Sequence, residues 1–426
     1  MLVLEGTAYL KGKLERCAIG IEEGRIVAIK KTLRGDEHRD FGDMLLLPGG
    51  IDIHVHLREP GMTQKEDFES GTTSAAAGGI TTVFDMPNTL PPTTTLVRYE
   101  DKLKTVSKKS LVDFGLYGGM LTGRETARLA GVAQALKLYL APTTGGIEVK
   151  PQEVSGLVRA LPSESPPVVV HAEDPEKFAA KRPANLVEHN FQRPADSEAS
   201  AVRFLRTLGK AFHVTHVTSS AGLETLHGSG FTADATPHHL LLDCASPLRQ
   251  LGKVNPPLRE PAERDALWRA FAEGRVEMLA SDHAPHAPEE KDTAFAEAPA
   301  GMPGVETMIP LLLRKVRSAE LTLERLVNAV CERPAGLMRL RKGAIDVGMD
   351  ADIAVVDLRA VSTIRGKVLH SKCGWTAFEG WEAVFPKATY LRGKLIVDAG
   401  EVVEDCAGRL VKQAKMTAAS GASGEG

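Results

Sequence analysis

The sequence predicts an α/β protein: a (β/α)8 TIM-type barrel carrying a small β-sandwich satellite built from both chain ends. Three observations predict it. Short β-rich runs alternate with helical stretches through the middle of the chain, the pattern of parallel βα units. Eight such runs can be counted, and eight units close into a barrel whose active site sits at the C-terminal ends of the strands. Both chain ends, by contrast, carry short strands and tight turns with little helical pattern between them.

Taken in order, the first stretch is a small β unit in which Ile19-Gly20-Ile21 and residues 25–29 flank the hairpin signal Glu22-Glu23-Gly24. The barrel strands are expected near 51–56, 80–84, 112–117, 135–140, 168–171, 212–216, 232–236 and 276–281. A Pro/Ser segment, 161–167, reads as a connector. Gly343, Gly348 and Asp350 read as turn chemistry at the barrel-to-satellite junction. Strand texture returns at 351–357, 394–397 and 401–403. The expected division is 1–47 with 346–410 as the satellite, 48–345 as the barrel, and 411–426 as a disordered tail of small and polar residues.

Composition narrows the function classes. A chain of 426 residues, 43% hydrophobic and 25% charged, buries a large core. A formal net charge of −3 offers no global attraction to nucleic acid or an anionic membrane surface, which points to a small-molecule ligand handled by local groups. No apolar run approaches the ~20 residues of a membrane span, and Met1–Glu5 has no basic leader, so a cytoplasmic location is expected. The five cysteines are scattered without a C-x-x-C pair, which fits reduced thiols.

The chemistry-bearing residues gather at the predicted strand ends: His54, His56, Asn88, Lys137, His171, His216, His238 and Asp282. In His54-Val55-His56 the period of two puts both imidazoles on one face, with Asp52 on that face too. Two histidines around a valine are by themselves more often structural. In combination with His171, His216 and Asp282 they make a nitrogen- and oxygen-rich set suited to zinc. Lys137 lies inside an apolar run, where an unpaired ammonium is costly to bury. It reads either as a snorkelling lysine at a strand end or as a carbamylated lysine bridging two metals. Thr236-Pro237-His238-His239 reads as a structural corner, and Glu289-Glu290-Lys291 as a solvated helix start.

At this point the motifs are recognisable. Pro48 to Gly61, with Asp52-Ile53-His54-Val55-His56-Leu57-Arg58 at its centre, resembles the entry motif of the dihydroorotases in the amidohydrolase superfamily. Further similar stretches follow: Gly78-Gly79-Ile80-Thr81-Thr82, Met86-Pro87-Asn88-Thr89, Lys137-Leu138-Tyr139, His171-Ala172-Glu173-Asp174, His216-Val217-Thr218-Ser219, Thr236-Pro237-His238-His239-Leu240, Asn255-Pro256-Pro257-Leu258-Arg259 and Ser281-Asp282-His283-Ala284-Pro285-His286. The likeness runs from about residue 1 to 405 and is specific in combination.

The resemblance implies reversible zinc-dependent hydrolysis and cyclisation between dihydroorotate and N-carbamoyl-L-aspartate. It makes His54 and His56 ligands of one zinc and His171 and His216 ligands of the other. Lys137 would bridge them as a carbamate, as in the lysine branch, bacterial type I-like. Asp282 would bind the first metal and act as general base and acid. Arg58, Asn88 and His286 would hold the substrate carboxylate, with His56, Asn255 and the backbone of Ala300-Gly301 also touching substrate. Thr143 and Thr144, ahead of Gly145-Gly146, would form a lid. A homodimer is expected, and association with aspartate transcarbamoylase is a further expectation. Trp375 departs from the pattern, because Gly374-Trp375-Thr376-Ala377-Phe378 lacks the usual Asn before Thr and Pro after it. Packing near the barrel rim, rather than chemistry, is where its effect is expected.

Allantoinases and dihydropyrimidinases share the metal ligands, so Arg58 is what separates the readings. Its planar fork suits a ring carboxylate that hydantoin- and allantoin-type substrates lack. A third reading is an inactive scaffold for aspartate transcarbamoylase. Such relatives usually lose metal ligands, whereas this chain keeps all of them.

Overall fold

The computed structural model describes residues 1–403 and 407–413. Four strands open the chain: β1 (Leu2–Leu10), β2 (Lys13–Glu22), β3 (Arg25–Lys30) and β4 (Glu37–Pro48). The barrel follows with β5 (Gly50–Val55), β6 (Ile80–Asp85), β7 (Asp113–Gly119), β8 (Ala135–Tyr139), β9 (Val168–His171), β10 (His213–Val214), β11 (Thr232–Ala235) and β12 (Met278–Leu279). After it come β13 (Ile353–Val356), a two-strand ribbon of β14 (Ser362–Thr363) and β15 (Glu382–Ala383), then β16 (Ala388–Leu391), β17 (Lys394–Asp398) and β18 (Glu401–Val402).

Strands β5 to β12 pair in sequence order, all in parallel. The ring closes where Val55 bridges His283 and the His56 N–H donates to the His283 carbonyl at 2.8 Å. Helices such as Phe68–Ala77 fill the crossovers. That helix starts where it does because Asp67 accepts from Ser70 N–H while the Ser70 hydroxyl accepts from Asp67 N–H, a reciprocal capping box.

The satellite is one mixed sheet in the order β18-β17-β16-β13-β4-β1-β2-β3, and the β4–β13 pair joins the two chain ends. The hairpin at Glu23-Gly24 has φ of +49° and +80°, the two left-handed positions that match strand twist in a two-residue turn. Alternation along β4 sets the layering. Leu46 packs into the satellite's own apolar cluster, while Leu45 and Leu47 face the main core with the barrel.

Residues 411–413 depart from the expected tail. Leu410 bridges Phe114, Val411 is buried in the cluster inside the barrel, and Gln413 Nε2 donates to Gln134 O at 2.7 Å. An apolar side chain under the barrel is what anchors this segment. Residues 414–426 of that tail, and Cys406, lie outside the described residues. Cys17, Cys244, Cys331 and Cys373 are free and buried. Among the described residues no helix is long and apolar enough to cross a membrane.

Candidate active site

Strand phase decides which side chains enter the barrel. In β8, Ala135 belongs to the inner apolar cluster and Leu136 and Leu138 to the outer one, so Lys137 and Tyr139 share the inward phase. In β9, Val169 is inner and Val168 and Val170 outer, which places His171 inward. Strand β5 breaks this rule. Ile51 and Ile53 are inner but Val55 is outer, and the pairing with β6 shifts register between Asp52 and Val55. That irregularity turns His54 and His56 into the barrel. Asp52 does not join them at the ligand cluster. Its carboxylate braces the chain instead, accepting from the N–H of His54 and of Ser281, both at 3.1 Å, and burial pushes its pKa up to about 7.

His54, His56 and Asp282 form a buried cluster with metal-ligand spacing. Asp282 Oδ1 lies 3.3 Å from His54 Nε2 and 3.1 Å from His56 Nε2. The far nitrogen of each imidazole is engaged: His54 Nδ1 with Thr215 Oγ1 and His56 Nδ1 with Asn88 Oδ1, each at 2.7 Å. Such partners fix ring orientation and leave Nε2 free to ligate. Burial pushes both imidazoles toward the neutral form that a metal requires. Burial opposes ionisation of Asp282, yet the hydrogen bond and charge of His56 hold its carboxyl below the usual range.

Beside this cluster, His171 Nδ1 and His216 Nε2 converge to 3.1 Å. Glu173 accepts from His171 Nε2 at 2.7 Å and is itself paired with Arg193, whose Nε lies 3.0 Å from Oε1. Lys137 Nζ is fully buried with no hydrogen-bond partner among the described residues. Burial lowers its pKa to about 7, against the opposing charges of Asp282 and Asp234. An orphaned amine whose charge reaches His54, His171, His216 and Asp282 fits a group completed by another ligand.

The substrate side is a cavity of about 360 Å³ lined by His54, His56, Arg58, Asn88, Tyr139, Thr143, Thr144, His171, His216, Asn255, Asp282, His286, Ala300 and Gly301, among others. Lys137 is not part of that lining. A larger cleft of about 590 Å³ lies between helices Ser220–Leu226 and Pro261–Ala272, around His227 and Phe231. Of the two, only the smaller brings the ligand cluster and a buried cation together, so it is the candidate site.

Arg58 is 4% exposed, and burial lowers its pKa to about 10, still cationic at neutral pH. It donates through Nε to Pro285 O at 3.1 Å, and its Nη2 lies 3.2 Å from His286 Nε2. The turn that presents it is tight. Arg58 has φ +60°, and a Cβ on Gly61 (φ +91°) would meet the Leu90 carbonyl at 1.8 Å, so only glycine fits there. His216 (φ +45°) and Asp282 (φ +46°) are also left-handed, a conformation that costs about 1–3 kcal/mol at non-glycine residues and clusters at functional sites.

Several of the expected site residues carry further contacts. Asn88 is engaged at both ends of its amide: its Oδ1 takes the His56 Nδ1 bond and its Nδ2 donates to Thr143 Oγ1 at 3.1 Å. The Gly301 N–H already donates to Lys253 O at 2.8 Å, and Ala300 O lies 3.0 Å from His286 Nε2. Lys291 is no solvated helix residue; it is buried, with Nζ donating to Pro299 O at 2.8 Å. Trp375 reaches the site's frame, since its Nε1 donates to His286 O at 2.8 Å. Thr215, Tyr139, Glu173, Arg193 and Lys65 complete the surroundings and were not singled out by sequence. Tyr139 was legible from its spacing of two from Lys137, and Glu173 from its spacing of two from His171. Arg193 and Lys65 reach the site through tertiary contacts, for which sequence carries no signal.

Residues 45–396 match the model of the amidohydrolase family. The chain is 40% identical over 422 residues to a dihydroorotase of Methanosarcina acetivorans, covering 91% of this chain and 90% of that one. It is 35% identical to a dihydroorotase of Pyrococcus furiosus over 100% of this chain and 99% of the relative. Among solved structures, an L-hydantoinase (dihydropyrimidinase) from Arthrobacter aurescens superposes with a TM-score of 0.92 at 28% identity, covering 97% of this chain and 99% of that one.

Proposed function

The chain belongs to the amidohydrolase family, and from that premise we propose that it is a metal-dependent dihydroorotase, interconverting dihydroorotate and N-carbamoyl-L-aspartate. The observation that carries this is Arg58: a buried guanidinium on the wall of the same cavity that holds His54, His56 and Asp282. A planar cation there suits a ring carboxylate, which hydantoin-type rings lack, so the high structural likeness to a hydantoinase speaks for the scaffold rather than the substrate.

In this reading His54, His56 and Asp282 would hold one zinc and His171 and His216 a second, and Lys137, once carbamylated, would supply an anionic oxygen ligand to the pair. The buried amine reacts in its neutral form: nitrogen adds to carbon dioxide and one proton leaves. Zinc bound there supplies Lewis-acid polarisation of the scissile carbonyl and acidifies water. Asp282 accepts on Oδ the proton that the attacking water gives up and returns it to the leaving ring nitrogen, reversing roles in cyclisation. Arg58, with Asn88 and His286, orients the ring, and Asn255, Ala300 and Gly301 touch its far edge. Thr143 and Thr144, tied to Asn88 through Thr143, act as the lid. The reading also retains residues 48–345 as the barrel unit, with 1–47 and 346–410 as the satellite, together with a homodimer, association with aspartate transcarbamoylase and a cytoplasmic setting.

The test is metal analysis of the purified protein combined with assays in both directions. Two zinc ions per chain with turnover of both dihydroorotate and N-carbamoyl-L-aspartate are expected. Zinc-loaded protein that turns over neither would overturn the reading.

A further inference from the structure

One cation beside the carboxylate-binding groups is unaccounted for by the metal site or by the sequence motifs. Lys65 lies on the loop after β5, its side chain 13% exposed, with Nζ 2.7 Å from Glu290 Oε1 and 3.3 Å from His286 Nδ1. We propose that Lys65 is a positioning residue: by donating to His286 Nδ1 it keeps the imidazole proton on Nε2, where it holds Ala300 O and fixes the ring beside Arg58 on the cavity wall that binds substrate. The identity of the ligand rests on the dihydroorotase reading; the tautomer does not.

His286 is a neutral imidazole in this setting. Burial, then the nearby Arg58, Lys65 and Lys291, push its pKa down to about 2, so the ring is neutral. A neutral imidazole carries one N–H and one lone-pair nitrogen. If the proton is on Nε2, it is donated to Ala300 O at 3.0 Å and Nδ1 accepts from Lys65 at 3.3 Å. Only the 3.2 Å approach of Arg58 Nη2 to Nε2 is then unfavourable. If the proton is on Nδ1, the Arg58 contact is satisfied, but Nε2 faces Ala300 O lone pair to lone pair and Nδ1 faces the Lys65 ammonium donor to donor. Glu290 Oε2, 3.6 Å from Nδ1, is too far to compensate. Two contacts against one select the Nε2–H tautomer.

Lys65 is what tips this balance. It occupies Glu290 Oε1, while Glu290 Oε2 accepts from Ala287 N–H at 3.0 Å. Without Lys65, Nδ1 loses its donor and Glu290 Oε1 loses its cation, so the Glu290 carboxylate is released to close on Nδ1 and draw the proton to that side. Nε2 would then face Ala300 O lone pair to lone pair, and the ring would lose the contact that fixes it beside Arg58. The His286 main chain stays in place through Trp375 Nε1, so the change is one of proton position rather than of loop position.

The test uses zinc-loaded full-length protein labelled with ¹⁵N-histidine. Long-range ¹H–¹⁵N spectra, assigned with His286→Gln, report the tautomer directly. The native protein is expected to show an unprotonated Nδ1 at His286, and Lys65→Met to move the proton there. In kinetics, Lys65→Met is expected to raise KM for dihydroorotate roughly three- to tenfold, the worth of the neutral hydrogen bond that fixes the His286 ring. The same variant should lower kcat less than about threefold, and Lys65→Arg, which keeps a donor, should restore most of KM. A native His286 protonated on Nδ1 overturns the proposal even if Lys65→Met fails to fold. So does a folded Lys65→Met with native tautomer and KM. Native protein that ignores dihydroorotate would refute the substrate assignment alone, and the spectra would still decide the role of Lys65.

Discussion

Asn88 Oδ1 accepts the Nδ1–H of His56 at 2.7 Å, so one amide is tied both to a candidate zinc ligand and, through Nδ2, to Thr143 of the proposed lid. Asn88→Ala should therefore do more than weaken the grip on the substrate. Removing such a partner typically costs 10–100-fold in metal affinity or activity. Zinc titration against a chelator, alongside KM, checks this; a raised KM with unchanged zinc affinity would confine Asn88 to the substrate.

Asp282→Asn keeps the shape of the side chain and removes the proposed base. Positioned proton transfer is worth ~10²–10⁴-fold, so turnover should fall by at least that factor in both directions. Retention of more than about a tenth of native activity in zinc-replete protein would remove Asp282 from the proton-transfer role.

Lys137 offers a pH test with a definite sign. Burial lowers its pKa to about 7, and only the neutral amine attacks carbon dioxide. Reconstitution of metal-free protein with zinc at fixed dissolved carbon dioxide should therefore slow as pH falls below about 7 and level off above it. Lys137→Ala should lose metal and activity, with partial rescue by short carboxylic acids. A rate of reconstitution flat across pH 6–8, or indifferent to carbon dioxide, would argue against the carbamate.

Arg58 decides between substrates. Truncation of one partner in a desolvated, hydrogen-bonded charge pair costs about 2–5 kcal/mol, and Arg58→Ala should show it in kcat/KM for dihydroorotate with zinc retained. Arg58→Lys keeps the charge but loses the two-point grip. Dihydrouracil, which carries no carboxylate, should be a poor substrate and lose far less. Equal losses for both rings would mean that Arg58 supports the site rather than reading the carboxylate.

By itself the sequence determined the strand count and the strand positions, because a buried parallel strand needs a short apolar run and the eight runs are separated by helical spacers. It also determined which residue types stand at the strand ends, since those are set by position along each unit. Tertiary structure decided the rest. Period-two reasoning puts Ile53 and Val55 on one face, yet a register shift against β6 separates them, and that shift, invisible without the neighbouring strand, turns His54 and His56 inward while leaving Asp52 to brace the backbone. Val411 became part of the barrel interior because an apolar side chain can plug a barrel end from any distance along the chain. The contacts of His286 come from Lys65, Ala300 and Trp375, which are 221, 14 and 89 residues away. Hydrogen bonds of that kind depend on distances of a few tenths of an ångström between separate loops, and no local pattern of residues encodes them.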